Sequence, residues 1–246
     1  KPRKELADLI HAFACRAFRR GVKKEAVANA VTLAVNLLSE GHSFSESLRA
    51  GYRTVLCSPE FLYFSEQPGL LHDDEIASRL SYFLTGGPPD KELLNLARKK
   101  KLSDARVRRQ QVDRLLGIEP EKSVHEVGRD APSTQFIKDF SAEWLDLDQV
   151  DFTQPDRKLY RQYDPIVRMA MLDETHQFLE DMVVEDRPVK NLVAADYTYL
   201  NSRLCRYYKI FPGVEQGMQR VNLSADSHRG GLLTQGAILK VTANGS

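Results

Sequence analysis

The residues with the clearest chemical potential are His176 and Glu180, which lie four positions apart in a predicted helix. Residues four apart share one face of an α-helix, so this spacing would place an imidazole beside a carboxylate, as in carboxylate-bridged metal sites. Such sites also need matching ligands from a second helix, and we find none in the sequence. None of the six histidines has another histidine three or four positions further on. We therefore interpret the pair as structural or surface residues and predict no metal site.

A second candidate surrounds the single tryptophan, Trp144, which is flanked by Glu143, Asp146 and Asp148. Carboxylates beside an indole ring could bind a sugar and supply acid–base catalysis. Trp144 also continues the helical spacing of two phenylalanines, and aromatic residues at that spacing are more often part of a core. We predict that Trp144 is a core residue and assign no catalytic residue to the chain.

A third candidate is the segment Arg229–Gln235, with the sequence R-G-G-L-L-T-Q. Gly230 and Gly231 precede an apolar stretch, so their backbone N–H groups could hold an anion at a helix N-terminus, with charge from His228 and Arg229. A Gly-Gly pair is also typical of a tight turn, which is the commoner use. No cap or charged tail follows this motif, and we expect the 246 residues to be a piece of a longer protein.

Helices must position these groups, because apolar residues recur at helical spacing along most of the chain. We predict an all-α fold, a multi-helix bundle of about ten helices in two packed modules with little or no β-structure. Ser43 and Glu46 have the spacing of a capping box. Asp164 and Pro165 have the pattern of a helix start, from which the longest helix runs over about 166–184.

Less regular segments surround these helices. Residues 192–201 indicate a short turn leading to a further helix, and residues 220–223 a short strand. The segment 117–133 holds two glycines, two prolines and many charges, so we predict a mobile loop there. Asp73 or Asp74 is expected to cap the helix that follows, and Leu102–Ser103 to begin another.

Glycine and proline between residues 66 and 71 mark the best linker candidate. We predict three domains on this basis. An N-terminal three-helix module covers 1–66, a larger helical module covers 72–210, and residues 211–246 begin a third module.

Charge and hydropathy exclude some functions. The chain has 35 basic and 34 acidic side chains, a formal net charge of +1, whereas nucleic-acid binding needs a surplus of Lys and Arg. No apolar stretch approaches the ~20 residues that span a bilayer. We predict neither a nucleic-acid partner nor a transmembrane segment.

The three cysteines, Cys15, Cys57 and Cys205, are far apart and form no C-x-x-C pair. A metal knuckle or haem-attachment motif is therefore excluded within these residues. Cys15 and Cys57 fall among apolar neighbours, which favours buried thiols and leaves one long-range disulfide as the alternative.

Several ordered motifs resemble a known family over nearly the whole chain. They are F-A-C-R-A-F-R-R at 13–20, L-C-S-P-E-F-L-Y at 56–63, A-S-R-L-S-Y-F-L at 77–84 and R-G-G-L-L-T-Q at 229–235, followed by V-T at 241–242. Single residues complete the set: Pro89, Asp90, Leu93, Ala97, Phe140, Trp144, Leu145, Glu174, Thr175, Asp196, Tyr197, Thr198 and Asn201. Together they resemble modules of large planctomycete-type exported proteins. These modules are domains of unknown function named for their association with cytochromes, the PSD and PSCyt families.

The resemblance implies a setting for the chain. In the family the third module continues to a C-x-x-C-H motif that would attach haem c, whereas this sequence stops at Ser246 before any such motif. No cofactor is expected within this chain, and haem c is expected in the parent protein. Export to the periplasm or another oxidising compartment is implied, which raises the disulfide alternative. One departure is that Lys209 follows Tyr208 where the family pattern has glycine.

Two functional hypotheses follow, and a third is weaker. The first is a non-catalytic helical scaffold that docks a haem-c module of the same parent, or another redox partner, and supports electron transfer. The second is an oxidoreductase with a substrate pocket between the helical modules, and the third a carbohydrate-binding module. For docking we predict His228, Arg229 and Gly230, the residues nearest the expected haem segment.

Overall fold

The computed structural model describes residues 2–63, 69–118, 131–152, 154–210 and 217–243. Within these ranges eleven α-helices and one two-stranded sheet confirm the predicted all-α class with little β-structure. Contacts divide the chain into two compact units, residues 1–115 (unit 1) and 116–246 (unit 2). The three-domain division stays a prediction. The helices are α1 (Pro2–Ala17), α2 (Ala28–Ser39), α3 (Phe44–Leu56), α4 (Pro59–Leu62), α5 (Asp73–Thr85), α6 (Lys91–Arg98), α7 (Ala105–Leu116), α8 (Pro132–Trp144), α9 (Pro165–Val184), α10 (Ser202–Tyr208) and α11 (Gly236–Thr242).

Helices α1, α2 and α3 of unit 1 share one apolar core. The predicted capping box begins α3: the Ser43 hydroxyl accepts the Glu46 N–H at 3.3 Å, and the Glu46 carboxylate accepts the Ser43 N–H at 2.9 Å. A Cβ on Gly51 would stand 2.4 Å from Ile10 Cδ1, so glycine lets α3 approach α1 closely. The buried residues of this core are Leu6, Ile10, Ala14, Phe18, Val27, Ala30, Ala34 and Val55.

Asp73 has a different role from the predicted helix cap. His72 occupies the N-cap position of α5, while the buried Asp73 carboxylate accepts the Leu102 N–H at 2.5 Å and the Ser103 hydroxyl at 2.6 Å. This bond holds the turn before α7, which begins at Ala105 and not at Leu102. The sequence prediction of a cap was wrong because the carboxylate serves a backbone about thirty residues away rather than its own helix.

The longest helix, α9, organises unit 2. It begins as predicted, with the Asp164 carboxylate accepting the Val167 N–H at 2.8 Å and Pro165 in the first turn. Helices α8, α10 and α11 and strand β1 (Tyr197–Leu200) all contact α9. The buried apolar residues of this unit are Ile137, Leu147, Val167, Ala170, Met171, Phe178, Leu179, Tyr197, Tyr199, Leu200, Leu204, Cys205, Leu232, Ala237 and Ile238.

The sheet of unit 2 pairs β1 (Tyr197–Leu200) with β2 (Gln219–Asn222) in antiparallel register. The strand predicted over 220–223 is confirmed within one residue. The prediction that 192–201 forms only a turn missed β1, all four residues of which are buried. A strand buried on both faces shows no alternation, so periodicity could not reveal it.

Two further expectations need correction. Trp144 is half exposed at the end of α8, where its ring lies 5.3 Å from Phe140 on the outer side of the helix. Ile137 and Ser141 of α8 are buried, and Phe136 packs against the core, so the predicted aromatic stripe leaves the core only toward Trp144. Of the loop predicted over 117–133, residues 119–130 lie outside the described residues, as do residues 66–68 of the predicted linker.

The cysteines are free thiols in three environments. Cys205 is buried and Cys15 half-buried, whereas Cys57 is exposed at the end of α3, so burial was wrongly predicted for Cys57. Among the described residues, no helix combines the length and apolar character needed to cross a bilayer.

Replacing the buried Asp73 with alanine tests whether its hydrogen bonds to Leu102 and Ser103 stabilise unit 1. Asp73→Ala leaves the Leu102 and Ser103 donors without their acceptor, so we expect a loss of about 3 kcal/mol in the free energy of unfolding. Urea unfolding followed by circular dichroism measures this loss. The matched control is Asp8→Ala, whose carboxylate forms an exposed 3.6 Å pair with Lys24; the substitution should cost under about 1 kcal/mol. Equal losses in the two variants would show that the hydrogen bonds of Asp73 do not stabilise unit 1.

Candidate functional site

A buried carboxylate, Glu174, stands at the centre of unit 2 and is 1% exposed. Its Oε1 accepts the Thr198 hydroxyl of β1 at 2.7 Å, and its Oε2 accepts the Tyr208 hydroxyl of α10 at 2.7 Å. The Gly236 N–H, at the start of α11, donates to the Tyr208 hydroxyl at 3.0 Å. These four residues, here called the Glu174 network, link α9, β1, α10 and α11.

Two more buried polar groups of α9 extend this arrangement. The Thr175 hydroxyl donates to Gln235 Oε1 at 2.7 Å, while Gln235 Nε2 has no hydrogen-bond partner in the described part of the chain. Two turns after Glu174, the Asp181 carboxylate accepts the Tyr197 hydroxyl at 2.7 Å and pairs with Arg187 at 3.2 Å. Helix α9 is thus fastened to β1 by two separate carboxylates.

Burial shifts the proton affinities around this network. Burial raises the pKa of Glu174 from 4.5 to about 7, against the opposing effect of its hydrogen bonds from Thr198 and Tyr208. The pKa of Tyr208 is raised far above its usual range, first by burial and then by the neighbouring Glu174 charge. On the same helix, burial lowers the pKa of His176 from 6.5 to about 4, with a smaller effect from Lys138.

The histidine–carboxylate pair from the sequence has a structural environment. Glu180 is buried and accepts hydroxyl hydrogen bonds from Ser133 and Thr134 of α8, and His176 is half-buried. In the described ranges, no group of three or more His, Cys, Asp or Glu side chains comes together in a way that could hold a metal ion. The contacts of Glu180 are those of a helix-packing residue.

Arg229 stands next to the Glu174 network. Its guanidinium carbon lies 3.5 Å from the centroid of the Tyr208 ring, a cation–π contact, and its Nη1 donates to the Thr234 carbonyl at 2.9 Å. The Gly230 N–H donates to the Thr234 hydroxyl at 2.8 Å. The loop that carries Arg229 is therefore fixed at both its backbone and its side chain.

The glycine pair after Arg229 forms a tight turn against another backbone. A Cβ on Gly230 would lie 2.8 Å from the Ala195 carbonyl oxygen. Gly231 has φ 72°, and a Cβ there would lie 2.6 Å from the Val193 carbonyl carbon. A short 3-10 turn follows, and α11 begins only at Gly236. This geometry matches the tight-turn interpretation of the pair.

All three predicted docking residues, His228, Arg229 and Gly230, line one groove of about 680 Å³, here called the His228 groove. Lys190 and Asp196 also line it. His228 is exposed and forms no hydrogen bond within the described part of the chain. The structure thus brings these residues together on one concave surface, while their role in docking stays a prediction.

A second concavity of about 720 Å³, here called the tyrosine cavity, lies on the other side of Arg229. Tyrosines and basic residues dominate its lining, which includes no aspartate or glutamate among the described residues. Gly236 and Tyr208 of the Glu174 network belong to its wall. The tyrosines are Tyr160, Tyr163, Tyr207 and Tyr208, and the basic residues are Lys158, Arg161, Lys209, Arg229 and Lys240.

From the sequence alone, Glu174 and Thr198 are identified only as motif residues, and no role is predicted for Tyr208. A signal was present, however. Glu174, Thr175, Thr198, Arg229 and Gln235 all belong to motifs that carried the family resemblance, and all contact one another or a shared neighbour in this site. These five motif residues have no evident role in their own segments, and the fold brings them together in one site.

Comparison with known families agrees with that resemblance. Residues 71–210 match the family model PSD4, a protein family of unknown function (DUF1592). Residues 5–66 match PSD5, a second family of unknown function (DUF1595). Because the first match covers more than half of the chain, the protein belongs to the DUF1592 family, and the resemblance to the PSD families is confirmed. No curated protein and no solved structure matches the chain.

Two glycines with positive φ differ in how closely other atoms surround them, and the ψ of 179° at Gly231 adds strain for any residue with a side chain. Gly231 and Gly217 both have positive φ, at 72° and 64°, but only Gly231 has backbone atoms where a Cβ would stand. We expect Gly217→Ala to cost about 1 kcal/mol of unfolding free energy, and Gly231→Ala at least about 2 kcal/mol more. Urea unfolding of both variants measures the difference. Equal costs would contradict the close packing of Gly231.

The pH dependence of stability tests the two shifted groups on α9. The raised pKa of Glu174 stabilises the fold fully below pH 4.5, and this contribution of about 3 kcal/mol is lost as pH rises to about 7. The lowered pKa of His176 acts in the opposite direction. Its contribution is present above pH 6.5 and is lost as pH falls to about 4. Because these windows overlap, the two effects largely cancel between pH 4.5 and 6.5 in the intact protein.

Single substitutions should expose each effect. In Glu174→Gln the free energy of unfolding should rise with pH from 4.5 to 6.5, because the opposing effect of Glu174 is gone and that of His176 remains. In His176→Asn it should fall from pH 4.5 to about 7. Urea titrations at half-unit pH steps, about ten per protein, measure these slopes. Parallel pH profiles in all three proteins would show that neither group has a shifted pKa.

Proposed function

We propose that this chain is a non-catalytic helical scaffold of an exported protein linked to haem c. In this proposal the His228 groove docks the haem-c module of the same protein or another redox partner and so supports electron transfer. The observation that carries the proposal is that His228, Arg229 and Gly230 line one groove. These are the residues that lie nearest the expected haem segment.

Rigidity supports this role for the groove. Arg229 is held by Tyr208 and Thr234, and the glycine pair is packed against the backbone of 193–195. A docking surface that is already ordered loses little conformational entropy on binding. The fixed loop therefore suits a binding surface better than a mobile one would.

Charge supports an acidic partner. Lys190 and Arg229 add positive charge to the groove, and Asp196 is the acidic residue in its lining. Haem c carries two propionates at its edge, and an acidic protein surface offers the same carboxylate chemistry. Arginine binds carboxylates through paired N–H groups, which gives orientation as well as attraction.

Covalent haem attachment does not fit the residues of this chain. Attachment needs two closely spaced cysteines followed by histidine, whereas Cys15, Cys57 and Cys205 are far apart in the sequence. The haem is therefore assigned to another module, and its iron ligands are assigned to no residue here. Membership of the PSD families supports this setting, since that resemblance carries the expectation of a cytochrome partner and of export.

The test uses the natural gene product, expressed with haem-c maturation. We expect a sharp α-band on reduction with dithionite. We further expect Arg229→Ala to lower the haem midpoint potential by about 20 mV or more, because removing a nearby positive charge favours the oxidised haem. His228→Ala should also shift the potential, because the docked module would lose a contact with the imidazole. Spectroelectrochemical titration gives the potential.

The control for this test is Arg157→Ala, which removes an exposed positive charge outside the lining of the groove. Its potential should match that of the unmodified protein. His228→Ala is the more decisive variant, since His228 is exposed and its loss disturbs no hydrogen bond in the described part of the fold. A flat reduced spectrum, or unchanged potentials in both groove variants, would overturn the proposal.

A further inference from the structure

We propose that the tyrosine cavity binds a small organic anion that carries two or more acidic groups on a flat ring. At about 720 Å³ the cavity is of the size that takes small-molecule ligands. This site is distinct from the His228 groove, and Arg229 is the lining residue that both share.

The positively charged side chains of the cavity favour the binding of an anion. Lys158, Arg161, Lys209 and Arg229 form no ion pair with any carboxylate in the described part of the chain. The fifth, Lys240, donates to the Val150 carbonyl, and burial lowers its pKa. Several like charges gathered in one concavity repel each other, so a bound anion with more than one acidic group would relieve that repulsion.

Nearby carboxylates are paired or hydrogen-bonded outside the cavity lining, although Asp151 and Glu174 act electrostatically on Lys240 and Arg229. Asp151 pairs with Arg168, and the Asp156 carboxylate accepts the backbone N–H of Lys158 at 2.6 Å. Glu174 is buried and accepts two hydroxyl hydrogen bonds. None of these three carboxylates is part of the cavity lining. The positive charge of the cavity is therefore not balanced from within its own wall.

The tyrosine rings of the lining favour a ligand that contains a planar ring. Tyr207 and Tyr208 stand with ring centroids 5.8 Å apart, and Arg229 covers the Tyr208 ring at 3.5 Å. Tyr160 is 47% exposed, and the apolar side chains of Leu159 and Leu239 are also exposed at the cavity. Tyrosine faces and a stacked guanidinium offer planar contacts that an open-chain anion cannot fill. Charge and shape together define a ring-based polyacid.

Isothermal titration calorimetry of the whole chain with three probes tests this inference at constant ionic strength. The probes are benzenetricarboxylate, which has both the ring and the charge, citrate, which has the charge without the ring, and benzyl alcohol, which has the ring without the charge. We expect benzenetricarboxylate to bind about tenfold more tightly than citrate, and benzyl alcohol to give no measurable heat. Citrate binding as tight as benzenetricarboxylate, or no binding of either, would overturn the proposal.

The variant for this test is Arg161→Gln combined with Lys209→Gly. Both side chains are exposed, and glycine suits position 209, where the lysine has φ 58° and ends α10. The variant should therefore fold, with an unchanged circular dichroism spectrum, and should bind benzenetricarboxylate about tenfold more weakly. Arg157→Gln, one charge removed from the same segment but outside the lining, is the control and should bind as the unmodified chain does. Equal weakening by the control would show nonspecific attraction and overturn the site.

None of the cations changed in this test belongs to the His228 groove. Failure of the ring-based polyacid to bind would therefore leave the haem-docking proposal standing. Unchanged haem potentials in the groove variants would equally leave the tyrosine cavity as a site. The two proposals can be separated by experiment.

Discussion

The fold of unit 2 depends on keeping one carboxyl group, that of Glu174, out of water. A buried carboxyl without hydrogen-bond partners would be costly, so the fold must deliver a donor to each of its oxygens. Thr198 and Tyr208 are those donors, at 2.7 Å each. Their positions in turn fix β1 and α10 against α9. Tyr208 then sets the place of Arg229, which stacks on its ring, so the walls of both concavities follow from a single buried group.

Local signals were read correctly from the sequence because their chemistry is complete within a few residues. The caps at Ser43 and Asp164 each need only a side chain and an N–H three positions later. Asp73 and Trp144 were misread for opposite reasons. Asp73 bonds a distant backbone, and Trp144 is exposed at the end of a helix whose Phe136 and Ile137 still contact the core. Periodicity shows that a helix has an apolar stripe, but only the tertiary packing shows which part of the helix surface is buried.

The candidate site could be predicted only in part, because its contacts join distant positions. Thr198 and Tyr208 lie 24 and 34 residues from Glu174, and no spacing rule relates them. The sequence did mark His228, Arg229 and Gly230 as neighbours, since they are consecutive. It could not show that Arg229 would stack on Tyr208 and share a cavity lining with Tyr160, Tyr163 and Tyr207. Glu174 and Thr198 both belong to the family motifs, but the motifs alone do not show what these residues do. The structure shows that they are hydrogen-bonded to each other.

Arg229 borders the His228 groove and the tyrosine cavity with a single guanidinium. A ligand that drew this group toward one concavity would change the free energy of binding in the other. Thermodynamic linkage requires the effect to be reciprocal, with the same factor in each direction. If both concavities bind as proposed, the shared arginine would couple them, and the affinity for the partner protein would then depend on the concentration of the small molecule.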